Sequence, residues 1–321
     1  MSAKNMRIAY RNVYEDSLLL YQNDGAIYKT DTVRNVIMDA TRATSPSKSD
    51  LLYTKPTTHY TLVGAYKQEE DISCIAFVRP NIPGTSEFRF TVWTEDDWGG
   101  SYAAGDWSYK ITMDDIGIIP GWGDFIWGAP WAGNAVAFDE YNPMSSVLIV
   151  WVDNPKIKVF TKGGVQWMDP DKFRDVKYWK LEFILEGANP LELSIDRMFM
   201  GAHTELTYNL SHGHNMTFVD SSKSYRTEGG SKVSVSRERF KQISFSLSVI
   251  SAENRMEISR LLAIIGTHHD ALVSLYPING DNLLDIRLET DYSLLGKFTK
   301  APIMSEIIGG YYKTTMKLEE T

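Results

Sequence analysis

The chain has 321 residues, 43% of them hydrophobic and 23% charged, which suggests two domains and excludes a disordered tail, a collagen-like fibre and a coiled-coil rod. Its formal net charge of −8 disfavours nucleic acid and anionic membranes as partners, because affinity for phosphate comes from Lys and Arg. A single cysteine, Cys74, excludes an internal disulfide framework and a cysteine-rich zinc module.

The sequence shows neither a signal peptide nor a membrane-spanning helix. Residues 1–14 are polar and charged, without the apolar segment of a signal peptide. The longest uncharged stretches lie around residues 116–138, but they are interrupted by Asp124, two prolines and five glycines, whereas a membrane-spanning helix needs about 20 continuous apolar residues. We expect a soluble protein that is made in the cytosol and does not insert into a membrane.

Most of the first 200 residues are predicted to form β-strands. Runs rich in β-branched and aromatic residues are separated by Gly, Pro, Asn and Asp, which is typical of an antiparallel sandwich. In one run Phe88, Phe90 and Val92 share a face. The predicted strands are Arg7–Ile8, Leu18–Tyr21, Val33–Met38, His59–Val63, Ile72–Val78, Phe88–Trp93, Trp107–Met113, Val147–Val152, Lys156–Phe160, Tyr178–Leu185 and Leu191–Ile195.

The pattern changes near residue 200. Val233–Ser236 and Ile243–Val249 alternate apolar and polar residues, as expected of a sheet with one solvated face. We therefore divide the chain into a tryptophan-rich domain, residues 1–203, and a second domain, residues 204–321. Further strands of the second domain are predicted at Ala271–Tyr276, Leu283–Leu288, Leu294–Phe298, Ile303–Ile308 and Tyr311–Leu318.

One helix is predicted in the second domain, from Ser251 to Gly266. Ser251 is a suitable N-cap, Glu253 places a carboxylate in the first turn, and Gly266 ends the helix. Its apolar residues follow helical spacing and are Ile258, Leu261, Leu262 and Ile265. We expect this face to pack across the sheet.

Tryptophan is confined to one region, since all nine residues lie between Trp93 and Trp179. Aspartates lie among them, so three interpretations stay open: core packing with subunit contact, binding of a carbohydrate by stacking on indole rings, and hydrolysis of a sugar by paired carboxylates. The candidate residues for a glycan or an interface are Trp98, Trp107, Trp122, Asp124, Trp127 and Trp131. We favour packing and subunit contact.

No catalytic, cofactor or metal site is predicted. Nucleophile-elbow, P-loop, dinucleotide-binding and zinc-protease motifs are missing from the sequence. His212 and His214 would share a face of a strand, but no third ligand follows at a recognisable spacing. Cys74 lies between apolar residues, which indicates a core thiol.

Two resemblances cover residues 145–321. Tyr178–Gly201 contains a strand, an Asn-Pro turn and a second strand that ends in Arg197-Met198-Phe199-Met200-Gly201. This segment resembles the end of a galactose-binding-like (discoidin-type) sandwich.

The following segments resemble tail proteins of tailed bacteriophages, of the tail-tip, baseplate or distal-tail kind. The resemblance rests on the order of the segments Ser224-Tyr225-Arg226, Gly229-Gly230, Val233–Val249, Ser251–Gly266, Leu272–Pro277 and Tyr311–Glu320. It implies a subunit that forms a ring or collar around the tail tube or that builds the tail tip and baseplate.

The expected fold is mainly β: an antiparallel jelly-roll or galactose-binding-like sandwich, then a β-rich α+β domain with one helix packed on a sheet. The resemblance implies a non-enzymatic structural protein of the virion, made in the host cytoplasm. Its expected partners are further copies of itself and other tail proteins, namely tube, hub and fibres. A carbohydrate-binding module for a host surface glycan is the alternative.

Overall fold

The computed structural model describes slightly more than half of the chain. The described residues are 5–23, 52–53, 59–78, 87–94, 107–112, 147–153, 158–161, 166–167, 172–184, 194–195, 197–208, 213–235, 239–277, 289 and 292–320. The predicted strands at 33–38 and 283–288 lie outside them.

The described strands pair antiparallel throughout. In chain order they are β1 (Arg7–Tyr10), β2 (Leu18–Asn23), β3 (Leu52–Tyr53), β4 (His59–Ile72), β5 (Cys74–Val78), β6 (Glu87–Trp93), β7 (Trp107–Thr112), β8 (Val147–Trp151), β9 (Lys158–Thr161), β10 (Gln166–Trp167), β11 (Phe173–Ile184), β12 (Ser194–Ile195), β13 (Arg197–Gly201), β14 (His203–Glu205), β15 (Asn215–Asp220), β16 (Lys223–Arg226), β17 (Lys232–Val235), β18 (Arg239–Ile250), β19 (Ala271–Ser274), β20 (Ser293–Phe298), β21 (Ser305–Ile308) and β22 (Tyr311–Glu320). A helix, α1 (Ala252–Ile265), follows β18.

The first core lies between two sheets. One sheet has the strand order β10-β9-β7-β6-β11-β4-β2, and the other has the order β13-β5-β8. The side chains between them include the predicted face of Phe88, Phe90 and Val92, together with Trp179 and Phe183, all of which are buried. The predicted antiparallel sandwich is therefore confirmed for this part of the chain.

The three-stranded sheet is buried on both faces. Every residue of β5, β8 and β13 is buried, which explains why these strands are nearly continuous apolar runs rather than alternating ones. Its outer face packs Cys74, Trp151 and Phe199 against Leu272 and Leu295 of the next sheet.

That next sheet has the order β14-β1-β19-β20-β22-β18-β15, with β21 also paired to β22. The face of this sheet opposite the three-stranded sheet carries α1. The predicted division after residue 203 stays a prediction, but β1, from the start of the chain, lies in this sheet beside β14 and β19. The layers thus run from the seven-stranded sheet through the three-stranded and eight-stranded sheets to the helix.

The predicted helix is confirmed at both ends. The Ser251 side chain accepts a hydrogen bond from the Asn254 amide at 3.2 Å, and Gly266 ends the helix with φ of 58°. Ile258, Leu261 and Ile265 are buried against the sheet, and Leu262 is half-buried. This contact forms the second core.

The described structure is a mainly β fold with antiparallel sheets and one helix, as the sequence predicted. Within the described ranges, no helix is long and apolar enough to cross a membrane.

Candidate interaction surface

The hairpin formed by β15 and β18 continues beyond the sheet as a two-stranded ribbon. Pairing of β15 with β18 reaches Asp220 opposite Arg239, and β16 then pairs with β17 from Lys223 opposite Val235. All residues from 222 to 235 are exposed. We call these residues the arm. Since both faces of the arm are exposed, it does not pack against any described part of its own chain.

The two faces of the arm differ chemically. Tyr225 lies opposite Val233, and Val235 lies on the same face opposite Lys223; the exposed fractions of Tyr225, Val233 and Val235 are 56%, 36% and 48%. The opposite face carries Ser224 paired with Ser234, and two cationic residues. Val233–Ser236 was predicted to lie in a sheet with one covered face. This prediction is wrong for the described residues, because Val233 and Val235 are strand residues without a core beneath them.

A second exposed apolar group lies at the hairpin of β21 and β22. Gly309 and Gly310 both have positive φ, of 57° and 82°, which two-residue hairpin turns require. Beside this turn Ile308 is 75% exposed and Tyr311 44% exposed, and Ile303 before β21 is 80% exposed. These residues and the arm give the described surface two protruding apolar hairpins.

Buried ion pairs join the sandwich to the eight-stranded sheet. Arg7 of β1 donates to Asp153, which follows β8, at 2.8 and 2.5 Å, and to Glu205 at 2.9 and 2.8 Å. Its guanidinium also lies over the Trp151 ring, 4.8 Å from the centroid. Burial alone would lower the pKa of Arg7, but the two carboxylates outweigh burial and raise it. Arg7 is therefore a permanent cation in this junction.

Trp151 completes the junction from the sandwich side. Its indole nitrogen donates to the Glu289 carboxylate at 2.6 Å, and the Ser274 hydroxyl donates to the same oxygen at 3.0 Å. Fixed, satisfied polar contacts of this kind hold two layers in one relative position.

Most of the predicted glycan or interface residues lie outside the described residues. These are Trp98, Trp122, Asp124, Trp127 and Trp131. Trp107 begins β7, where it pairs with Val92 and Thr161. The carbohydrate-binding and hydrolase interpretations of this region stay predictions.

Three other tryptophans, Trp93, Trp151 and Trp179, are buried. For these three the predicted role in packing is confirmed. Trp179 belongs to the core between the seven-stranded and three-stranded sheets, and Trp151 belongs to the cluster between the three-stranded and eight-stranded sheets.

Of the two histidines that the sequence singled out, His214 packs against Tyr276 and Tyr292, and His212 lies outside the described residues. His203 contacts Ser73 at 2.6 Å near the junction. Across the described ranges, no group of three or more His, Cys, Asp or Glu residues is arranged to hold a metal ion. Cys74 is buried, as predicted, and burial raises the pKa of its thiol.

Sequence reasoning missed the exposed apolar residues of the β21–β22 hairpin. The signal is present, since Ile308-Gly309-Gly310-Tyr311 places two large apolar residues directly beside a two-glycine turn. Hairpin turns lie at the surface, so apolar residues next to one are expected to be exposed. The Arg7 contacts had no such local signal.

No model of a known protein family matches the chain. No curated protein sequence matches it either.

Proposed function

We propose that this protein is a non-enzymatic structural subunit of a bacteriophage tail, at the tail tip or baseplate, that assembles with copies of itself and with tube or hub proteins. Its place is then the virion. The observation that supports self-assembly most directly is the pair of exposed apolar hairpins, above all the arm.

Leaving the arm uncovered is unfavourable in free energy. An isolated two-stranded hairpin is at best marginally stable in water, and apolar side chains on it gain free energy when a partner covers them. Tyr225, Val233 and Val235 form a contiguous stripe of that kind. Protruding apolar surface on a folded protein is typical of a protein–protein interface.

The rest of the described structure suits a subunit with a fixed shape. The layers share cores on both sides of the three-stranded sheet, and buried ion pairs connect the sandwich to the eight-stranded sheet. A subunit of a repeating assembly must present its contact surfaces in a constant relative orientation, because symmetry repeats every interface.

The test is the mass of the purified full chain in solution, measured by sedimentation or light scattering over a range of concentrations. We expect an oligomer that dissociates when Tyr225 and Val233 are both replaced by Ser. The control is Ser224→Ala with Ser234→Ala, on the opposite face of the arm, which should leave the mass unchanged.

Imaging and protein analysis of phage particles test the location. We expect the protein at the end of the tail. A chain that is strictly monomeric at all concentrations and absent from particles would contradict the proposal.

A further inference from the structure

We propose that a lysine-lined groove over β18 and β22 of the eight-stranded sheet docks carboxylates from residues 1–200 of a second copy of this chain. The inference rests on the proposed self-assembly and assigns one of its contact surfaces. The groove has a volume of about 730 Å³ and lies between β18, β22 and the segment that follows β20.

The groove lies over β18 and β22 on the side of the sheet opposite α1, whereas the three-stranded sheet packs on that same side against Ala9 of β1, Leu272 of β19 and Leu295 of β20. Along β18, Phe245 and Leu247 point into the helix-covered core, so Ser246 and Ser248 face the other way. Along β22, Met316 points into the core and its neighbours Thr315 and Lys317 face the groove. The floor is therefore formed by hydroxyl-bearing side chains.

The wall after β20 is fixed to β22 by hydrogen bonds. The Thr299 amide donates to the Lys317 carbonyl at 3.0 Å, and the Thr314 hydroxyl donates to the Ile303 carbonyl at 3.0 Å. These two bonds hold Lys300 and Ile303 beside the floor. The groove is thus already formed in the absence of a partner. Less conformational entropy is therefore lost when a partner binds.

No described residue compensates for the positive charge of the groove. Lys300, Lys313 and Lys317 line it and are exposed, and no Asp or Glu is among its described lining residues. None of the three lysines forms an ion pair with any residue in the described ranges. Three neighbouring cations with hydroxyl donors between them are suited to accept carboxylates.

The chain itself carries the complementary charge. Residues 1–200 contain 20 Lys and Arg against 27 Asp and Glu, whereas residues 201–321 contain 13 against 14. Seven of the eight excess negative charges therefore lie in the first 200 residues. In an assembly of identical subunits, the groove of one copy and the acidic part of the next attract each other.

A nucleic acid is the competing polyanion, and the overall charge argues against it. A net charge of −8 repels a phosphate backbone at long range. A second copy carries the same net charge and is also repelled at long range, but it presents exposed apolar side chains that gain free energy when they are buried, which a phosphate backbone does not. The second copy is therefore favoured.

The direct experiment is zero-length carbodiimide crosslinking of Lys to Asp or Glu, on an equimolar mixture of unlabelled and ¹⁵N-labelled full-length protein. Peptide pairs that contain one labelled and one unlabelled member come from two different copies. We expect such mixed pairs to join Lys300, Lys313 or Lys317 to a carboxylate of residues 1–200. Intermolecular crosslinks that never involve these lysines would overturn the proposal.

A charge-reversed variant provides the matched measurement. Lys313→Glu with Lys317→Glu should weaken self-association about tenfold and reduce its dependence on salt, because exposed ion pairs are screened. The control is Lys67→Glu with Arg260→Glu, which makes the same change in net charge at exposed residues of β4 and α1. Circular dichroism establishes that both variants fold.

The outcomes separate this inference from the proposed function. If the wild type forms an oligomer whose stability the groove variant leaves unchanged, the groove proposal is wrong and self-assembly stands. If the wild type is monomeric and absent from particles, both fail. Binding of a single-stranded DNA oligonucleotide that the groove variant abolishes, with the oligomer intact, would assign the groove to nucleic acid instead.

Discussion

Gly64 of β4 lies beneath the indole of Trp179, its cross-strand neighbour on β11. A Cβ atom at position 64 would lie 2.4 Å from Cζ2 of Trp179, which is closer than real Cβ contacts. Trp179 is completely buried and packs against Tyr14 and Tyr66. The indole therefore has no room to move away from a larger residue.

We expect Gly64→Ala to lower the free energy of unfolding by about 3 kcal/mol, because overpacking forces a buried ring from its site. Urea denaturation followed by tryptophan fluorescence measures this loss. Gly229→Ala is the control, since a Cβ there meets nothing closer than 4.0 Å. Equal stability of Gly64→Ala and the wild type would show that the core adjusts around Trp179.

Glu182 on β11 is held between two donors. Lys180 lies 3.0 Å from one carboxylate oxygen and His59 lies 3.5 Å from the other. Burial alone would raise the pKa of Glu182, but the hydrogen bond from His59 and the charge of Lys180 outweigh burial and lower it below 4.5. The ionised form is therefore favoured in the folded state.

Because the folded-state pKa is lowered, the stabilisation by Glu182 is complete above the unfolded-state pKa and is lost as the pH falls through the folded-state pKa. We expect Glu182→Gln to cost about 1 kcal/mol at neutral pH. The difference from the wild type should shrink as denaturation is repeated at decreasing pH below 4.5. A difference that stays constant with pH would contradict an electrostatic role.

At the scale of single elements, the helix was predictable because its signals are local. Ser251, Gly266 and the spacing of Ile258, Leu261 and Ile265 define its ends and its buried face within 16 residues of sequence. The β18 strand was predictable for the same reason, since its alternation from Ile243 to Ser248 matches the alternation in burial, although Val249, which the pattern places in the core, is 42% exposed.

We expect Ser251→Ala to lower the free energy of unfolding by about 1 kcal/mol, because the Asn254 amide loses its acceptor. Chemical denaturation monitored by helical circular dichroism measures the change. Ser259→Ala, at an exposed position within the helix, should be neutral or slightly stabilising. If both variants have the same stability, the cap does not contribute.

The arm shows a property that local sequence signals do not predict, namely whether a strand is covered by other elements. Val233 and Val235 alternate with polar residues as β18 does, and the strand they predict is present as β17. Whether an alternating strand covers a core depends on what lies above it, and sequence spacing carries no information about that. The alternating pattern therefore predicted the strand correctly but was wrong in predicting that one of its faces is covered.

At the scale of the whole molecule, the two cores are joined through the three-stranded sheet. Arg197 of β13 contacts Glu15 and lies 2.5 Å from Asp270, the residue before β19. Burial alone would lower the pKa of Arg197, but Asp270 and Glu15 outweigh burial and raise it. Both Arg197 and Asp270 are buried, so removal of either charge leaves the other one buried without its counter-ion.

We expect Arg197→Met to lower the free energy of unfolding by about 3–5 kcal/mol, because it leaves the buried Asp270 carboxylate without its cation. Addition of Asp270→Asn to that variant should recover part of the loss. Two probes report on different layers: fluorescence of the tryptophans, all within residues 93–179, and circular dichroism of α1. The unfolding transitions measured by the two probes should coincide in the wild type. Two separate transitions would show that the layers unfold independently of each other.

The sequence by itself determined the class of fold, the helix and its ends, the face formed by Phe88, Phe90 and Val92, and the burial of Cys74. Each of these follows from residues that are neighbours in the chain, where the periods of helix and strand are set by backbone geometry. Continuous apolar runs at β5 and β8 also indicated burial, although not what covers each face.

Only the tertiary structure decided which layers meet and which surfaces stay uncovered. Arg7 finds its carboxylates 146 and 198 positions away, and β1 enters a sheet whose other strands begin at residue 203. The exposed stripe of the arm and the uncompensated lysines of the groove were decided at the same level. Pairing over such separations depends on the complete set of packed elements, so no local pattern in the sequence encodes it.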